Sequence, residues 1–144
     1  MTAIKRRTLL KSGFALAAGS VLWPRWLRAG ARPLIRKAIP VSGEQLPVIG
    51  MGSSRTFDAG DNAAVRAQLA PVLQAFFDQG GALIDSSPMY GSAEQVLGDL
   101  LTTTSKKDSL FSATQVWTDG RQPGIEQKQR YMQRMGVKRV YLMQ

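Results

Sequence analysis

Residues 84–91, IDSSPMYG, hold the sharpest change of character in the sequence. The apolar run Ala82-Leu83-Ile84 stops on a carboxylate, Asp85. Two serines, a proline and a methionine follow, and Tyr90 stands five residues after the acid. In sheets of parallel strands, functional groups collect where the strands end and loops lead into helices. A strand ending on Asp85, with Tyr90 in the next loop, fits that placement. The same spacing also suits a carboxylate that braces its loop beneath a packed tyrosine, so the pair alone leaves the chemistry open.

Before this stretch, Leu69, Val72, Leu73, Phe76 and Phe77 recur at helical spacing. Pro71 is placed in that helix's first turn, where its missing N–H costs nothing, and Gly80-Gly81 ends it. Further upstream, IPVSGEQLPVIGMG (39–52) reads as a small hairpin turning at Ser42-Gly43-Glu44. Its second run continues into a short buried strand, VIGMG, and then the polar loop SSRTFDAGDN. After Tyr90, Ser92 with Gln95 resembles a capping box, opening a helix whose apolar face is Val96, Leu97, Leu100 and Leu101. LFSATQVW is the next strand. A weaker helix over about 124–135 turns Ile125, Met132 and Met135 inward, and VKRVYLMQ begins a fourth strand. Strands alternating with helices specify an α/β fold with a parallel sheet. That order puts Ser53, Ser54, Asp85, Tyr90 and Gln115 at the same end of the sheet.

Composition excludes several chemistries. With no cysteine and no histidine among 144 residues, disulfides, thiolate nucleophiles, histidine bases and Cys/His metal sites are impossible within the chain, and no metal is expected. The net charge of +9 is uneven: six of the 19 basic residues precede residue 32, while all 10 acidic residues follow it. The remainder carries mixed signs, so nucleic acid is not expected as a partner.

The leader has the layout of a secretory signal. KRRTLLK opens it, an apolar segment runs from about Leu9 to Trp23, and Ala29 and Ala31 form an A-x-A-like cleavage site. Arg6-Arg7 followed by Leu10 and Lys11 resembles a twin-arginine export signal. The resemblance implies the twin-arginine export machinery as a partner and an exported, periplasmic location. The expected organisation is a signal peptide over 1–31, a linker over 32–38 and one domain over 39–144.

LPVIGMGSS, FFDQGGALIDSSPMYGSAEQVLGDLL, LFSATQVW and RMGVKRVYLMQ, in that order, resemble the aldo-keto reductase family across about residues 39–144. The resemblance implies a (β/α)8 TIM barrel. This chain would hold its N-terminal hairpin, about three βα units and a fourth strand, a truncated barrel with open parallel edges. It implies NADPH as cofactor and a small aldehyde or ketone as substrate. By position, Tyr90 matches the family's general acid and Asp85 the partner of its lysine. Gln115 occupies the lysine's place, and the family histidine would fall beyond Gln144. Gly52, Ser53 and Ser54 are the cofactor-binding candidates. Tyr141 stands where the family commonly has aspartate. A phenol with a pKa near 10 keeps its proton at neutral pH, and a neighbouring cation eases its loss. Glutamine donates a hydrogen bond but no charge, so this chain alone is expected to be inactive. The alternative expectation is an exported non-enzymatic protein that self-associates or binds a partner chain.

The arginine pair makes a direct prediction. Replacing Arg6 and Arg7 with lysine is expected to retain the protein in the cytoplasm when cells are fractionated; mature protein outside the cytoplasm at the native level contradicts it.

Overall fold

The computed structural model describes residues 33–144, and the twin-arginine-type leader read at 1–31 lies outside them. Two strands open the described residues, β1 (Arg36–Ala38) and β2 (Gln45–Pro47), paired antiparallel with Lys37 opposite Leu46. Their turn is closed by the Gly43 N–H to the Ile39 carbonyl, with Gly43 at φ +71°. The hairpin therefore starts three residues earlier than its β-prone run suggests, using residues read as linker. A turn at Gly43 sets the register, and backbone pairing does not need apolar side chains.

The main sheet has four parallel strands in sequence order: β3 (Met51–Gly52), β4 (Leu83–Asp85), β5 (Phe111–Thr114) and β6 (Leu142–Met143). Each consecutive pair is joined through a helix: α1 (Ala63–Asp78), α2 (Ala93–Leu101) and α3 (Arg121–Met135). This is the expected βα alternation. β3 is shorter than expected, and Val48 and Ile49 are exposed rather than buried, because sheet pairing begins only at Met51.

Helix α1 begins well before Pro71. The Asn62 side chain accepts the Val65 N–H (3.1 Å), and a run rich in alanine follows. Pro71 thus lies inside the helix, not in its first turn. An interior proline costs about 3 kcal/mol. Burial of Leu69, Leu73 and Phe77 offsets it, at about 1.5–3 kcal/mol each. Val72 points outward. Past the C-cap, Gly80 at φ +86° lets its N–H reach the Phe77 carbonyl and the Gly81 N–H reach Phe76.

The core lies between sheet and helices, with Ile84, Leu97, Leu101, Tyr131 and Met135 essentially inaccessible. All four predicted apolar residues of α2 are buried. In α3 the buried anchors are Tyr131 and Met135, with Met132 partly buried; Ile125 is exposed, because only the second half of that helix faces α2 and the sheet. Glu94 shares the buried stripe of α2 with Leu97, Gly98 and Leu101 and receives a hydrogen bond from Arg134 of α3 (3.0 Å).

Gly98 lets α2 and α3 approach. A Cβ there would run into the backbone carbonyl oxygen of Arg134. Alanine gains about 1 kcal/mol of helix propensity over glycine, but forcing packed backbones apart typically costs 1–3 kcal/mol. Gly98→Ala is expected to lower the urea midpoint. Gly124→Ala in α3, whose Cβ would meet only a Val116 methyl at 3.4 Å, is expected to leave it level or raise it.

Candidate functional site

Parallel pairing lines up the carboxyl ends of the strands. Gly52 lies opposite Asp85, Asp85 opposite Ala113, and Thr114 opposite Met143. Just past the pairing, the Ser53 N–H bonds to the Asp85 carbonyl (3.1 Å) and the Ser86 N–H to the Ala113 carbonyl (3.1 Å). The first residues of both loops therefore continue the backbone pairing of the strands. Buried between them, the Ser53 hydroxyl donates to the Ser86 hydroxyl at 2.8 Å.

Tyr90 rides on the loop between β4 and α2. Its N–H bonds to the Ser87 carbonyl (3.0 Å), and its own carbonyl accepts from Ala93 as the helix begins (3.0 Å). The loop so folded brings the phenol oxygen to Gln115, just past β5, whose Nε2 lies 3.5 Å away in a long hydrogen bond. The predicted trio of Asp85, Tyr90 and Gln115 thus sits at neighbouring strand ends, with Tyr90 and Gln115 in contact. Tyr131 is no rival acid. It is buried, donates to the Ala113 carbonyl at 3.3 Å, and burial holds its proton far more tightly than an ordinary phenol. Tyr141 packs against Phe111 at the opposite ends of the strands.

The Asp85 carboxylate is only partly satisfied by its surroundings. Its Oδ1 is buried without a protein partner among the described residues, as is Thr114 Oγ1 on the next strand. Burial raises the Asp85 carboxyl above its ordinary value. No cationic side chain forms an ion pair with it among the described residues.

The cofactor candidates divide. Gly52 is exposed, and a Cβ there would meet nothing within 4 Å, so a ligand can come close to its backbone. Ser54 is exposed as well, whereas Ser53 is buried and its hydroxyl is committed to Ser86. No group of three or more acidic residues could hold a metal among the described residues.

Sequence reading missed two features. Ser92 does not cap α2 with its side chain. Its hydroxyl instead donates to Asp58 Oδ1 (2.8 Å) and accepts the Gly60 N–H (2.8 Å), both in the loop after β3. The polar loop SSRTFDAGDN offers Asp58 and Asp61 alike, and nothing local separates them. Glu94 was legible, since it falls at i, i+3, i+4 and i+7 with Leu97, Gly98 and Leu101 on the apolar face of α2.

A model of the Aldo/keto reductase family matches residues 48–143. Over 105 residues the chain is 34% identical to methylglyoxal reductase YeaE of Escherichia coli (strain K12), covering 71% of this chain and 36% of that protein. An aldo-keto reductase of Pseudomonas aeruginosa superposes with TM-score 0.65 at 20% identity, over 81% of this chain and 48% of the other. An aldo-keto reductase of Klebsiella pneumoniae, solved with NADPH, superposes with TM-score 0.62 at 22% identity, over 76% and 39%. The chain spans about a third to a half of the length of these proteins. The structural likenesses show the fold, a partial (β/α)8 arrangement.

The Asp85 environment sets a pH dependence. The folded carboxyl binds its proton more tightly than the unfolded one, so this group's contribution to stability falls as pH rises from 3.8 through the folded value. Asp85→Asn removes the titration. Its urea midpoint is expected to exceed that of the native chain at pH 7, with the difference vanishing at pH 3; a lower midpoint at pH 7 contradicts this.

Proposed function

The chain belongs to the aldo/keto reductase family, and we propose that its strand-end residues form the proton-donating side of a site that reduces aldehydes or ketones with NADPH. The observation that carries this reading is the Tyr90 hydroxyl held 3.5 Å from Gln115 beside the end of the Asp85 strand. The open approach to the Gly52 backbone and the exposed Ser54 suit a bound dinucleotide, and the Klebsiella pneumoniae structure carrying NADPH supports the choice of cofactor. When bound beside Gly52 and Ser54, NADPH would be the source of the hydride that the carbonyl carbon gains. Tyr90 supplies the proton, passing it from its hydroxyl to the carbonyl oxygen as that oxygen gains negative charge, and it regains a proton from water afterwards.

The local chemistry favours a slow step. As Tyr90 loses its proton, Gln115 offers its phenolate one hydrogen bond from a neutral amide. A neutral hydrogen bond is worth about 0.5–1.5 kcal/mol and a charged one about 1.5–3. A lysine at 115 would therefore lower the barrier by about 1–2 kcal/mol, about tenfold in rate per 1.4 kcal/mol. The same lysine would give the unpaired Asp85 oxygen a cation. We therefore assign the residues above as the proton-donating side of such a site, silent while a neutral glutamine stands beside Tyr90. The leader's arginine pair supports an exported, periplasmic setting as part of the same proposal.

NADPH oxidation provides the test, with an aldehyde panel that includes methylglyoxal, the compound in the curated relative's name. The native chain is expected at background. Turnover is expected when the chain is joined to the remaining half of a family barrel and carries Gln115→Lys. Tyr90→Phe in that active protein is expected to lower the rate by about 10²–10⁴. An unchanged rate in Tyr90→Phe overturns the assignment of the acid. Native turnover that Tyr90→Phe abolishes overturns the claim that the chain is silent.

A further inference from the structure

We propose that Asp58 is a positioning residue for Tyr90: it fastens the loop after β3 to the loop that carries Tyr90 and so holds the phenol over the strand ends. The inference rests on Tyr90 being the acid of the site.

Tyr90 sits on the connection between Asp85, the last residue of β4, and Ala93, the first of α2. The bonds inside this loop, Met89 N–H to the Ser87 hydroxyl (3.3 Å) and Tyr90 N–H to the Ser87 carbonyl (3.0 Å), fold it on itself. They do not tie it to the rest of the sheet. Besides the long bond from Gln115 to the Tyr90 hydroxyl itself, two tethers flank the loop. At the near end, Ser86 is held by the Ala113 carbonyl and by Ser53. At the far end, Asp58 Oδ1 accepts both the N–H and the hydroxyl of Ser92, each at 2.8 Å. The Ser92 hydroxyl in turn accepts the Gly60 N–H at 2.8 Å. Tyr90 lies between the tethers, two residues from Ser92.

The fit around Asp58 is specific. Gly91 adopts φ +55°, and a Cβ on it would strike the Asp58 carboxylate. The residue next to Tyr90 must therefore lack a side chain for the carboxylate to seat. The two bonds from Ser92 hold the Asp58 carboxyl below its ordinary value, so the acceptor is charged at neutral pH. Charge-assisted bonds are the stronger kind. The competing role is a plain one, in which Asp58 satisfies the N-terminus of α2 and contributes to stability alone. The two roles differ in what happens at Tyr90 while the chain stays folded.

The experiment labels the full chain with 3-fluorotyrosine and records fluorine NMR. There are three tyrosines, and Tyr90→Phe assigns the line from position 90. Asp58→Ala is expected to shift or broaden the Tyr90 line and leave the Tyr131 line in place. Asp58→Asn, whose Oδ1 still accepts from Ser92, is expected to restore it. Lys106→Ala, which breaks the distant pair with Asp78, is expected to leave Tyr90 unmoved. A Tyr90 line unchanged in Asp58→Ala overturns the proposal. If that variant unfolds, Ser92→Ala carries the decision. Movement of the Tyr90 line with Tyr131 fixed supports the pin, and all lines moving together, or none moving, overturns it. The readout is independent of turnover. A displaced Tyr90 line keeps the pin even where the joined Gln115→Lys protein shows no NADPH-dependent reduction, a result that sinks the reductase reading alone.

Discussion

The position of β4 between β3 and β5 governs everything else in this chain. Ile84 pairs with Met51 on one side and Ser112 on the other, and its side chain is fully buried. A strand's side chains alternate between faces, so a slip of one residue would exchange those faces. Ile84 would lose its place in the core, and a carboxylate would take it. Removing a charge from water without a partner costs far more than one isoleucine gains. Register is therefore set by the contrast between two adjacent residues, and that register puts Asp85 at the sheet's carboxyl end, level with Gly52 and Ala113.

The site inherits its strengths and its strain from this arrangement. Ser53 and Ser86 continue the backbone ladder one residue past the pairing, so the loops leave the sheet in defined directions. Asp85 and Thr114 hold polar atoms inside that frame with no protein partner among the described residues. Leaving a buried polar group unmatched costs about 1–3 kcal/mol. The fold carries that cost because the helices behind the sheet are closely packed. Gly98 admits the backbone of α3, Tyr131 and Met135 are buried in the same core, and Arg134 pairs with one oxygen of the buried Glu94. Tyr90 is different in kind. It stands on a loop, and its place depends on hydrogen bonds to residues far away in sequence.

The sequence itself made the alternation of strands and helices readable, because burial repeats every two residues in one and every three to four in the other. It identified β4, β5, the apolar face of α2 and the glycine stop of α1. It also placed Asp85, Tyr90 and Gln115 at one end of the sheet, since strand ends follow from strand positions. The failures came where a local signal competed with packing. Pro71 reads as a helix start, yet Asn62 and the burial of Leu69, Leu73 and Phe77 extend the helix across it. Ser92 reads as a cap, yet its hydroxyl is taken by Asp58 and Gly60. Ile125 reads as core, yet its half of α3 has no neighbour to bury it among the described residues.

The sequence alone determined the α/β class, because it depends on spacing along the chain, and it carried the stretches whose likeness to a known family named the residue types of the site. Tertiary structure alone decided which polar groups meet. The Tyr90–Gln115 contact joins residues 25 apart, the Asp58–Ser92 bonds join residues 34 apart, and the Glu94–Arg134 bond joins residues 40 apart. Hydrogen bonds have a reach of about 3 Å and depend on direction. Their partners are therefore chosen by how strands and helices come together, which no pattern along the chain encodes.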